Sequence, residues 1–123
     1  MKVLLSIRPE FAEKIFNGLK KYEFRRSIFK RSDVEKVIVY ASAPISKVIG
    51  EFEIEKILRE ELPNLWDMTK NYAGISEELF YDYFSHKNEG YAIKIKSFRK
   101  YETPHCIKSI YGVMPPQSFL YVE

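Results

Sequence analysis

The 123-residue chain has a single cysteine, Cys106, so no internal disulfide can hold it together. His86 and His105 are its only histidines, and neither a zinc-ligand spacing nor a two-histidine helical motif is formed, so no metal is expected. His105 and Cys106 are neighbours in an extended segment, where adjacent side chains point to opposite sides, which argues against a joint nucleophile. The five glycines lie far apart, which removes both common glycine-rich phosphate loops and leaves no cofactor expected. Long apolar runs are also missing. The opening run, Val3 to Leu5 plus Ile7, is broken by Arg8, Pro9 and Glu10, short of the roughly seven residues of a secretory signal. No window approaches the ~18 apolar residues of a membrane span. A cytoplasmic protein with no membrane contact is the expectation.

What the chain does have is apolar mass, 46% of residues with 15% aromatic, enough to offset the entropy of ordering one core. One domain over residues 1–123 is expected, as a monomer or a weak homodimer. The net charge of +3 hides a division along the chain. Residues 1–50 carry eleven Lys or Arg against five acids, a net +6; residues 51–90 carry four against ten, a net −6; the rest carries five against two, a net +3. Clustered Lys and Arg raise the local anion concentration, so the first half suits a ligand with phosphates.

Residues 3–7 read as a short buried strand, and Pro9 favours a first helical turn, giving a helix over 9–17 with Phe11, Ala12, Ile15 and Phe16 on its core face. Alternation predicts strands over 20–26, 36–42 and 47–57, and Gly50 inside the third signals a bulge or a close backbone approach. Two short helices are predicted within 63–86, the second opened by Ser76 and carrying Leu79, Phe80, Tyr83 and Phe84 on one face. A strand over 91–101, a half-structured stretch over 103–112 and a final strand over 117–122 complete the chain. Runs of strands without βαβ repetition describe an α+β fold, a small mixed β-barrel with an early helix and a two-helix insert covering one opening.

The densest constellation is Lys20, Lys21, Glu23, Arg25 and Arg26, preceded by Arg8 and Lys14. Arg offers fork-shaped contact to phosphate or a base edge, Lys a mobile point charge, and Glu23 can hold an Arg rigid or accept from an amino group. The competing reading is a salt-bridged outer strand. Trp66, Tyr72, Phe80 and Tyr81, with the acidic insert, also suit a protein-interaction surface if some of them are exposed.

Ser6-Ile7-Arg8-Pro9, Ala12-Glu13-Lys14-Ile15 and Gly18-Leu19-Lys20-Lys21-Tyr22-Glu23-Phe24-Arg25 resemble the opening of ASCH domains. Tyr40-Ala41-Ser42-Ala43-Pro44, Gly50-Glu51-Phe52, Gly90-Tyr91-Ala92-Ile93 and Pro115-Pro116-Gln117-Ser118-Phe119 follow in the same order. The resemblance implies a PUA-like barrel with a cleft beside the first helix, binding RNA or a nucleotide in connection with transcription or translation. In the RNA-binding reading Tyr40, Tyr91 or another cleft aromatic stacks on the base, Ser42 and Glu51 are added to the candidate contacts, and Gln117 and Ser118 join them because the rigid Pro115-Pro116 entry fixes where their side chains point. Some similar small proteins are enzymes, an amidohydrolase acting on acetylated cytidine and a ribonuclease, so the resemblance leaves binding and catalysis both open. The amidohydrolases use a Lys after the Gly-x turn, a Thr three residues on, and a downstream Glu. Lys20 matches the Lys, whereas Glu23 occupies the Thr position and is a poor stand-in for a hydroxyl nucleophile. Glu51 and the carboxylates of the insert are the candidates for the downstream acid. In an enzyme of this kind Lys20 would act as base and Glu23 as its proton partner.

Overall fold

In the computed structural model, which describes residues 1–123, the opening apolar run forms β1 (Lys2–Ile7) and Pro9 opens α1 (Pro9–Phe16), which buries Ala12 and Ile15. The chain continues through β2 (Tyr22–Arg25), β3 (Lys36–Ala41) and β4 (Lys47–Glu61). The insert supplies α2 (Leu62–Thr69), a 3₁₀ turn at Lys70–Tyr72 and α3 (Glu77–Tyr83), whose Ser76 cap accepts the Leu79 N–H at 3.1 Å. Then come β5 (Glu89–His105), α4 (Ile107–Tyr111) and β6 (Phe119–Val122). The stretch read as half-structured thus holds the short helix α4. No helix is long and apolar enough to cross a membrane.

The six strands form one sheet in the order β2-β5-β4-β3-β1-β6, with β1 and β3 parallel and all other neighbours antiparallel. The fold is α+β as expected, but the sheet is open: no backbone ladder joins β2 to β6, so the barrel closure expected from the strand count does not occur. Side chains cross the seam instead. Arg25 of β2 donates to the main-chain carbonyls of Ser6 at 3.4 Å and Ser118 at 2.9 Å.

One core lies between α1 and the sheet, drawing Val3, Leu5, Ile15, Val37, Val39, Phe52 and Ile93 from four strands and the helix. Gly50 is where this core admits no side chain. A Cβ there would lie 2.5 Å from the Phe16 ring and 2.7 Å from the Arg99 carbonyl oxygen, and the β4–β5 register shifts beside it. A second core, built around Phe24, Leu65, Phe80, Phe84 and Ala92, fastens the insert to β2 and β5. Its rings meet edge to face, with Phe80 centred 5.2 Å from Phe24 and 4.9 Å from Phe84. That packing carries α3 to the edge of β2, beside the seam.

Candidate functional site

The turn after α1 decides where Lys20 points. The N–H groups of Leu19 and Lys20 both donate to the Lys14 carbonyl, and the Lys21 N–H donates to the Tyr72 carbonyl, so the chain is already fixed before β2 begins at Tyr22. Strand alternation from residue 20 had set Lys20 and Glu23 on opposite faces; the turn brings both to one hollow. Lys20 is 2% exposed, its Nζ donates to the Ala73 carbonyl at 2.7 Å, and the ammonium lies 4.7 Å from the centre of the Phe24 ring. Burial pulls its pKa from 10.5 down to about 8, with the Glu23 carboxylate opposing the shift and Lys14 adding to it. The Lys20 ammonium therefore gives up its proton more readily than that of an ordinary surface lysine.

The hollow has a volume of about 240 Å³. Ser6, Ile7 and Arg8 line it from the end of β1, Phe11 from α1, Glu23, Phe24, Arg25 and Arg26 from β2 and its end, Ile75, Leu79 and Tyr83 from the insert, and Gln117 from the segment before β6. A second hollow of about 280 Å³ shares Arg25, Arg26, Tyr83 and Gln117 and adds Ser27 and Ser118. The two form one groove along the seam, apolar at the Phe11–Leu79 end and polar at the Ser27–Ser118 end. Four cations, Arg8, Lys20, Arg25 and Arg26, face it with Glu23 as the only carboxylate.

These cations are not equivalent. Arg25 is half-buried and its guanidinium already serves Ser6, Ser118 and the Glu23 carboxylate, the last at 3.3 Å. Arg26 is exposed, with its guanidinium 4.6 Å from the centre of the Tyr83 ring. Arg8 is exposed and paired with Glu10 at 2.6 Å, an interaction water screens and a phosphate can displace. Arg8 and Arg26 are thus free to meet an anion, while Arg25 holds the wall.

The remaining candidates lie outside the groove. Lys14 donates to the Gly74 carbonyl at 3.0 Å and ties the insert to α1, and Lys21 lies over the Tyr72 ring at 4.1 Å on the surface. Tyr40 is buried on the other side of the sheet with Leu4, Ile38, Val48 and Ile107. Ser42 follows β3, its N–H donating to the Ile7 carbonyl. Glu51 is on the far side too, accepting from Tyr101 at 2.9 Å, Lys36 at 3.1 Å and Arg99 at 3.1 Å. Burial would raise its pKa, but those three donors hold it below the usual range. Tyr91 sits in the β5 ladder opposite Arg25, with Arg59 over its ring at 5.8 Å. No insert carboxylate reaches the groove, so the Lys, hydroxyl and second acid of the amidohydrolase pattern are not assembled here.

Phe11, read from the sequence as core, and Tyr83, read as part of an apolar helical face, both line the groove. Tyr83 shares a helical face with Phe80 and Phe84, but only those two are fully buried; the Leu79–Tyr83 flank of the face turns to the groove. Of the aromatics considered for a partner surface, Phe80 is fully buried and Tyr72 and Tyr81 are exposed.

Fold and site together define a small α+β domain with an open, PUA-like sheet whose seam is a basic groove. The chain belongs to the ASCH domain family, whose model matches residues 5–111. A crystal structure of ASCH from Zymomonas mobilis matches with a TM-score of 0.91 at 29% identity, covering 99% of this chain and 87% of that one. The ASCH domain-containing ribonuclease of Zymomonas mobilis subsp. mobilis is 29% identical over 125 residues, 99% of this chain and 84% of the relative. The ATP synthase subunit alpha of Ureaplasma parvum is 30% identical over 122 residues, 98% of this chain, which spans only 15% of the length of that protein.

Proposed function

We propose that the seam groove binds single-stranded RNA one nucleotide deep, with the base in the apolar end and the phosphates at Arg26 and Arg8. The observation that carries this reading is the convergence of four cations and one carboxylate on a groove walled by Phe11, Phe24, Leu79 and Tyr83. Aromatic walls suit an unstacked base, and a hollow of this size holds a base with its sugar better than a duplex. The name of the Zymomonas relative supports the same substrate class. The setting that goes with this reading is cytoplasmic, in transcription or translation.

The test is a titration of a labelled single-stranded RNA at several salt concentrations. Wild-type binding should weaken linearly in the logarithm of salt, and Arg8→Ala with Arg26→Ala should weaken binding and flatten that slope by about one per lost phosphate contact. An unchanged slope in the double variant removes the reading.

A second reading, RNA cleavage, is favoured by Lys20 alone. A buried amine lining the groove, with a pKa of about 8, can take the proton from a ribose 2′-hydroxyl as that oxygen attacks the adjoining phosphate; the P–O5′ bond breaks, the leaving 5′-oxygen takes a proton from water, and Glu23 serves as the proton partner of the lysine. Purified protein should then yield fragments with cyclic phosphate ends, and Lys20→Ala should yield none.

A further inference from the structure

The inner end of the groove holds hydrogen-bonding capacity that the protein does not use. Glu23 is 6% exposed; one carboxylate oxygen accepts from Arg25 at 3.3 Å and the other accepts from no protein donor. Lys20 uses one of its three ammonium protons, on the Ala73 carbonyl. No side-chain N or O atom is sealed from solvent without a partner, so the free acceptor of Glu23 opens onto the hollow it lines. Phe11, Phe24 and Leu79 flank the same hollow and admit a flat ring.

We infer that this end of the groove reads a guanine base. The inference rests on the nucleotide-binding reading above and adds the identity of the base. A carboxylate offers two acceptors side by side, each oxygen with two lone pairs, so the one that accepts from Arg25 keeps a second acceptor site, and guanine is the RNA base whose pairing edge offers two adjacent donors, N1–H and the 2-amino group. Beside them lies O6, an acceptor for the free protons of Lys20. Adenine and cytosine place a ring-nitrogen acceptor next to their amino group, so each would set a lone pair against Glu23. Uracil offers one N–H between two carbonyls. In a site this secluded a mismatched acceptor loses its water without gaining a donor, which is how a buried polar pair discriminates.

The experiment titrates wild-type protein with five uridine pentamers that differ only at the centre, which is guanosine, inosine, adenosine, cytidine or uridine. The guanosine pentamer should bind tighter than the adenosine, cytidine and uridine ones by roughly five- to a hundredfold, the span of one bidentate base contact. Inosine keeps N1–H and O6 but lacks the 2-amino group, and should fall between. Glu23→Gln should bring the guanosine pentamer to the same affinity as the uridine one, whatever the affinity of the variant for both. Equal affinities across the series, inosine equal to guanosine, or tightest binding of cytidine or adenosine would overturn the guanine assignment and leave RNA binding standing. No binding of any pentamer would overturn both.

Discussion

Arg25 and Ser118 are joined across the open seam, guanidinium to main-chain carbonyl at 2.9 Å, although β2, which holds Arg25, and β6, which Ser118 precedes, lie at opposite ends of the sheet. With the companion bond to Ser6, this single side chain does at the seam what a ladder of backbone bonds would do in a closed barrel. Replacing the ladder by one side chain leaves a gap in the wall, and the gap is the groove.

Arg25→Ala should therefore loosen the seam. Its side chain is 13% exposed, so its charge-assisted bonds are worth about 2 kcal/mol or more together. The denaturant midpoint should fall by that equivalent, and amide exchange should quicken in β6 more than in β3. Arg25→Lys should not restore the midpoint, because one ammonium cannot span Ser6, Ser118 and Glu23 together. A variant as stable as the wild type contradicts the clasp.

Lys20 makes stability depend on pH in a direction that can be worked out. Its pKa is about 8 in the folded protein and 10.5 in the unfolded chain, so between those values the unfolded chain binds the extra proton and folding releases it. Stability from this group rises with pH across that window, and below about pH 8 the buried charge is a standing cost. Relative to Lys20→Met, the wild type should gain about 3 kcal/mol of unfolding free energy between pH 8 and pH 10.5. Parallel pH profiles for the two proteins would contradict the burial of the amine.

Gly74 sets the position of that amine. It adopts φ +69°, and a Cβ there would lie 2.6 Å from the Cβ of Lys20 and 2.7 Å from its Cγ. Gly74→Ala should cost about 1–2 kcal/mol in a denaturant titration, from backbone strain and the displaced lysine stem. The Lys20 ammonium, followed by NMR, should titrate at a higher pH in the variant as it moves toward water. An unmoved titration would show that Gly74 does not position Lys20.

Much of the frame was legible because local rules acted without competition. Pro9 after an apolar run gave α1, Ser76 before two glutamates gave α3, and β-branched residues 37–39 gave β3. Gly50 announced both the bulge and the close approach that occur there. Facing was harder to read. β3 is buried on both sides, so its alternation could not tell which side Tyr40 would take, and it took the one away from the groove. Glu51 has three donors contributed by β3 and β5, partners too distant in sequence for its spacing to reveal. Strand number alone could not decide closure, because that depends on whether β2 meets β6, a contact between positions about 95 residues apart. Lys20 joined the groove through a turn that alternation does not describe, and Tyr83 did so because the insert docks on β2.

The most direct measurement is a map of backbone amide shifts during titration of labelled protein with a short single-stranded RNA. The account predicts that the shifts concentrate at Lys20, Glu23, Arg26, Tyr83 and Gln117, and that they weaken as salt is raised. Shifts concentrated instead along the basic outer positions of β5, at Lys94, Lys96 and Lys100, or no shifts at all, would contradict it.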